Sequence, residues 1–129
     1  TMGFCGAFDD EMIGKLQETV GPKVAIRQMH YLPEQQKMLD EMNSYREFGV
    51  LIQADGLTNN ARFLLRNENS NTKVCFVPNW DYAKKAAKEL YEEGIYFIEC
   101  CGWFKESIFY ELIDMTCGTI PIGSTALNP

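Results

Sequence analysis

The tightest constraint on this chain lies between Lys73 and Ile122, where short apolar runs alternate with helical stripes across very short connections. Lys73 to Val77 reads as a strand with apolar residues on both faces, as a central strand has. Ala83, Ala86, Ala87, Leu90 and Tyr91 then recur at helical spacing, with Lys84, Lys85, Lys88, Glu89 and Glu92 on the opposite side. Gly94 stops that helix. Ile95 to Cys101 is a buried strand, and Gly102 begins a tight connection. Ile108, Phe109, Leu112, Ile113 and Thr116 make a second helical stripe up to Gly118, and Ile120 to Ile122 is a last short strand. Strand, helix, strand, helix, strand over such short links implies parallel pairing through right-handed crossovers, hence an α/β fold with one compact, largely parallel sheet.

Upstream, Phe48 to Ala54 is a strand, with Gly49 near its start and the Asp55-Gly56 turn after it. Ala61, Phe63 and Leu65 alternate with Arg62, Leu64 and Arg66, which predicts a strand with one exposed face, although Leu57 to Leu65 could also wind into a helix. The polar turn Asn67 to Asn71 makes this segment and Lys73 to Val77 a hairpin. Near the start, the apolar run Phe4 to Phe8 precedes Asp9-Asp10, which can cap a helix carrying Met12, Ile13, Leu16 and Val20. Gly21-Pro22 ends it. Lys23 to Met29 reads as a strand, and Pro33 opens a helix with the stripe Met38, Leu39, Met42 and Tyr45. The expected organisation is a strand and helix extension over residues 1–46 and an α/β domain over 47–129, forming one compact unit.

A chain of 129 residues suffices for one such domain without staples. Eighteen acidic against twelve basic residues give a net charge of -6 with the bases scattered, so a nucleic-acid partner is not expected. The longest aliphatic or aromatic run, Ile95 to Ile98, is far short of a bilayer span, and no secretory signal opens the chain. No membrane partner is expected, and the reading is cytoplasmic. Five cysteines without CxxC spacing, and His30 as the single histidine, argue against a disulfide framework and a bound metal. No phosphate-loop or dinucleotide spacing occurs, so no cofactor is expected.

Three segments carry a family likeness. The runs Lys88-Glu89-Leu90-Tyr91-Glu92-Glu93-Gly94-Ile95, Ile98-Glu99-Cys100-Cys101-Gly102-Trp103-Phe104 and Gly118-Thr119-Ile120-Pro121-Ile122-Gly123 resemble a small bacterial family known as domain of unknown function 6506. Its members carry a helix ending KEL-x-EEG, a strand like IELCGGFG and a terminal strand like GKVPVG. The likeness runs from about Phe48 to Ile122 and implies an α/β fold with no known activity. This chain departs from the pattern at Trp103, where the family has a second glycine, and at Cys100, where it has leucine. An indole there has the bulk to fill or cap a site that glycine leaves open.

Glu99 is the most informative candidate residue. Alternation places it with Ile95, Phe97 and Cys101 on one face and Tyr96, Ile98 and Cys100 on the other, so a carboxylate ends an apolar face near the carboxyl end of a parallel strand. It is a candidate general acid or base, or an acceptor for a ligand hydroxyl or amine; the plainer reading is a carboxylate tied to backbone amides or an arginine. Cys100 and Cys101 precede a helix N-terminus that could lower a thiol pKa, and Cys101 is kept as a candidate nucleophile against simple packing. Gly102, Trp103 and Lys105 are candidate ligand contacts in the following loop, with Asp55 approaching the same edge; a turn and a subunit contact are the alternatives. His30 reads as a loop residue.

The expectation is therefore a small-molecule-binding or catalytic α/β module with its pocket at the strand carboxyl ends, completed by homo-oligomerisation. The alternative is a non-catalytic homo-oligomeric interaction or structural protein, and a third reading is a thiol enzyme or redox sensor.

Overall fold

A computed structural model of the chain describes residues 2–4, 9–101, 105–125 and 127. The elements in order are β1 (Met2–Phe4), α1 (Asp10–Val20), β2 (Ile26–Gln28), β3 (His30–Tyr31), α2 (Pro33–Asp40), β4 (Glu47–Gln53), β5 (Ala61–Arg66), β6 (Asn71–Val77), α3 (Trp80–Glu92), β7 (Phe97–Cys101), α4 (Glu106–Met115) and β8 (Ile122–Ser124). Strands β1 and β2 form a small parallel pair, and the other six make one sheet in the order β3-β8-β7-β4-β6-β5.

Local chemistry sets most boundaries. Asp9 caps α1 by accepting from the Met12 amide at 2.8 Å, and Asn79 caps α3 by accepting from the Tyr82 amide at 3.2 Å. Asn67 Oδ1 accepts from the amides of Asn69 and Ser70 and tightens the turn between β5 and β6. Those two strands pair antiparallel from Ala61↔Phe76 to Arg66↔Asn71, so Leu57 to Leu65 resolves as a loop followed by a strand from Ala61.

Pairings β6–β4, β4–β7 and β7–β8 are parallel, and β5 and β3 close the edges antiparallel. The chain moves from β6 to β7 to β8 in one direction across the sheet. Crossovers of one hand that advance in one direction must lie on one face. Helices α3 and α4 accordingly share a core with that face: Ala83, Ala86, Ala87 and Leu90, with Phe109 and Leu112, pack on Leu51, Cys75, Val77, Ile98, Cys100 and Ile122. Gly49 lets α3 sit close, since a Cβ there would lie 2.8 Å from Leu90 Cδ1. The opposite face receives neither helix.

The N-terminal segment is fastened to the same sheet. Strand β3 pairs with β8, and the buried Gln35 of α2 accepts from the Ile122 amide at 3.0 Å.

Four local expectations are corrected. His30 lies in strand β3, paired with Ser124, and not in a loop. The helix after Pro33 stops at Asp40 instead of running through Tyr45; Ser44 turns the chain by accepting from the Arg46 amide, and Tyr45 packs edge-on against Phe97 at 6.0 Å. Ile95 belongs to the helix-side core and not to the face of Glu99, because Gly94, at φ +83°, redirects the chain and strand geometry starts only at Phe97. The last strand covers Ile122–Ser124 and not Ile120–Ile122, its register fixed by Ile98↔Ile122 and Tyr31↔Gly123.

Candidate functional site

The face opposite α3 and α4 is built from side chains that alternate away from those two helices. Strand β7 contributes Phe97, Glu99 and Cys101; β4 contributes Phe48 and Val50; β6 contributes Thr72 and Val74; and β5 contributes Leu65. With Leu39 of α2 and Tyr45 as a side wall, these residues enclose an open hollow of about 690 Å³. Phe48 and Phe97 are cross-strand partners whose rings stack at 5.0 Å with planes 2° apart. The hollow lies over the sheet face and not beyond the carboxyl ends of the strands.

Glu99 sits in its floor with 7% of its surface exposed. Its Oε1 accepts a hydrogen bond from the Tyr31 hydroxyl at 2.9 Å. The bridge depends on Gly123, which pairs with Tyr31 on one side and Glu99 on the other. A Cβ at Gly123 would stand 2.6 to 2.9 Å from three ring carbons of Tyr31, so the phenol crosses β8 only because that position is bare. Burial, then the charge and hydrogen bond of Glu99, push the Tyr31 hydroxyl well above its ordinary range. Tyr31 therefore stays protonated and acts as a donor.

The cysteines divide by face. Cys100 is wholly buried behind the sheet, where desolvation, then the neighbouring Cys101 and Glu99, raise its thiol pKa and keep it un-ionised. Burial raises Cys75 too. Cys101 is half-buried and lines the hollow two residues from Glu99. His30 lines a separate hollow of about 360 Å³ with Arg27, Gln28 and Thr125, so the fold does not bring it to Cys101.

Of the residues singled out in the sequence, Glu99 and Cys101 come together. Lys105 is exposed as the N-cap of α4, and Asp55 is exposed in the turn after β4; neither lines the hollow. Gly102 and Trp103 lie outside the described residues. Among the described residues no group of three or more His, Cys, Asp or Glu is placed to hold a metal ion. Sequence reasoning missed Tyr31, Gly123 and the aromatic wall. Gly123 alone carried a local signal, since an isolated glycine in a strand marks close approach by a neighbour.

Fold and hollow together define a class: a mixed α/β sheet protein with one face under helices and, on the other, an apolar concavity holding a hydrogen-bonded carboxylate. The chain belongs to a family of unknown function, DUF6506, whose model matches residues 46–129. No curated protein and no solved structure matches the chain. The matched segment holds Glu99, Phe48, Phe97 and Gly123, whereas Tyr31, Leu39 and Tyr45 come from residues ahead of it.

Proposed function

We propose that this protein is a small-molecule-binding module that takes a predominantly apolar ligand into the hollow over the sheet face opposite α3 and α4, with Glu99 as the polar anchor. One observation carries the reading: a buried carboxylate in the floor of an otherwise apolar concavity. The volume, about 690 Å³, falls among small-molecule pockets, which combine apolar walls with a few placed polar groups. The reading places the protein in the cytoplasm, in keeping with four free cysteines among the described residues; a fusion that fractionates with membranes or the medium would refute that placement.

The test is a fluorescence titration with Nile red, a neutral apolar dye. Wild type should show saturable binding at one site, and Leu65→Trp, at a rim position already 60% exposed, should weaken it about tenfold or more without unfolding the chain. Absence of saturable binding, or equal binding by the variant, refutes the reading.

A second reading has its own support. Tyr45, Phe63 and Leu65 are each more than half exposed on or beside this face, a feature of surfaces that meet a partner. On that reading a second copy covers the face, and Phe63→Glu should convert a dimer to a monomer in light scattering. A wild type that stays monomeric at high concentration removes it.

A further inference from the structure

We infer that β5 is a dimer edge: two copies of this chain pair their β5 strands antiparallel about a two-fold axis at Phe63, joining two sheets side by side into one. Such pairing leaves the hollow open, so it does not rest on the ligand reading, and it differs from a second copy stacked over that face.

Strand β5 ends the six-stranded sheet, and among the described residues no strand pairs with its outer side. It runs against β6 without a bulge, since the register holds from Ala61↔Phe76 to Arg66↔Asn71. Open edges are usually guarded by bulges, prolines or charges along the strand. Here Phe63, Leu64 and Leu65 are consecutive and exposed, which makes both faces of the edge apolar. Arg62, beside them, is ion-paired back to Glu93 at the end of α3.

The direction of the backbone groups follows from the turn. The Asn67 amide donates to the Ser70 carbonyl at 3.0 Å, so Asn67 faces β6. Alternation gives Ala61, Phe63 and Leu65 the same direction and turns the N–H and C=O groups of Arg62, Leu64 and Arg66 toward the open edge.

What fits this edge is the edge itself. A two-fold axis normal to the sheet keeps each side chain on its own face, so Ala61, Phe63 and Leu65 stand opposite one another and not opposite Arg62, Leu64 or Arg66. Two symmetric registers overlap most of the strand. One centred on Leu64 sets Arg62 opposite Arg66 of the second copy, a destabilising like-charge pair. The other, centred on Phe63, sets Arg62 opposite Leu64, Ala61 opposite Leu65 and Arg66 opposite Asn60, with no like charges in contact. That register also joins the outward backbone groups of Arg62 and Leu64 in hydrogen-bonded pairs and brings the two Phe63 side chains together at a closely spaced, non-hydrogen-bonded pair.

Sedimentation, amide hydrogen exchange and disulfide trapping on the full chain test this. Wild type should be a dimer at high concentration, and its Arg62 and Leu64 amides should exchange about tenfold or more slowly there than in dilute monomer. Phe63→Cys, oxidised with glutathione disulfide, should link to its own copy through position 63, because a non-hydrogen-bonded pair sets Cα atoms about 4.5 Å apart. Leu64→Cys, whose position stands opposite Arg62, should link through position 64 about tenfold or more slowly. Mass-spectrometric mapping of the linked peptides separates these from links through native cysteines. A chain still monomeric at about 1 mM overturns the inference. So does a dimer whose Arg62 and Leu64 amides exchange as fast as in the monomer, which would mean stacking over the sheet face. Faster linking through position 64 than through position 63 overturns it as well. Should either variant fail to fold, the exchange rates of wild type decide.

Discussion

Tyr31 gives its phenolic hydrogen bond to Glu99 at 2.9 Å across an intervening strand, and Gly123 is the position it crosses. The contact joins residues 68 apart in sequence and ties an edge strand of the N-terminal segment to an inner strand of the sheet. It holds a buried carboxylate in place.

Gly123→Ala should therefore be costly. Its methyl group would overlap the Tyr31 ring, which is packed and cannot withdraw freely. Overpacking of this kind costs about 2 kcal/mol, or a fall in Tm of about 8 °C for a chain this size. Gly14→Ala, where the new methyl meets nothing in the exposed middle of α1, should instead raise stability by about 0.5 to 1 kcal/mol. Thermal denaturation of the two variants checks the opposite signs.

Stability should decline in alkali. Tyr31 and Cys100 both have folded pKa values above their ordinary values of 10.0 and 9.0. Above those values the unfolded chain releases protons that the folded chain retains, so the stabilisation is complete below about pH 9 and drains away as pH rises further. Tyr31→Phe should lose about 1 to 2 kcal/mol near neutrality from the missing hydrogen bond to a charged group, yet fall less steeply above about pH 10. Urea midpoints measured across this range would show it; a variant curve parallel to wild type would be inconsistent with the shift.

Thiol labelling under native conditions should rank the cysteines by exposure and not by order in the chain. Exposed Cys117 reacts first and half-buried Cys101 follows, while Cys75 and Cys100 resist. Peptide mapping after brief iodoacetamide treatment gives the order. Rapid labelling of Cys100 would mean that the helix-side core opens readily.

Glu93 illustrates a weak contribution. It accepts from both Arg62 and Lys73, and the hydrogen bond from Arg62 lowers its pKa most. A lowered carboxylate contributes above about pH 4.5 and loses that contribution as pH falls. Because the group is well exposed, Glu93→Gln should cost less than about 1 kcal/mol, and less still in high salt, as urea denaturation at two ionic strengths would reveal.

The elements and the helix-side core were legible because their signals are local. A 3.6-residue stripe from Ala83 to Leu90, glycine at 94 and 118, and alternation along Phe97 to Cys101 each act within a few residues, so one sequence reading placed Glu99 beside Phe97 and Cys101. Tertiary contact settled what those signals left open. Pairing with β6 made Ala61–Arg66 a strand, and Tyr45, beyond the end of α2, packs edge-on against the Phe97 ring.

By itself, then, the sequence determined the α/β class and the side of its strand to which Glu99 points, since propensity and periodicity need no distant partner. Only the tertiary structure decided that α3 and α4 share one face and leave the other hollow, because that depends on strand order. It alone also brought Tyr31 to Glu99 over Gly123, because a cross-sheet hydrogen bond depends on register between strands far apart in the chain.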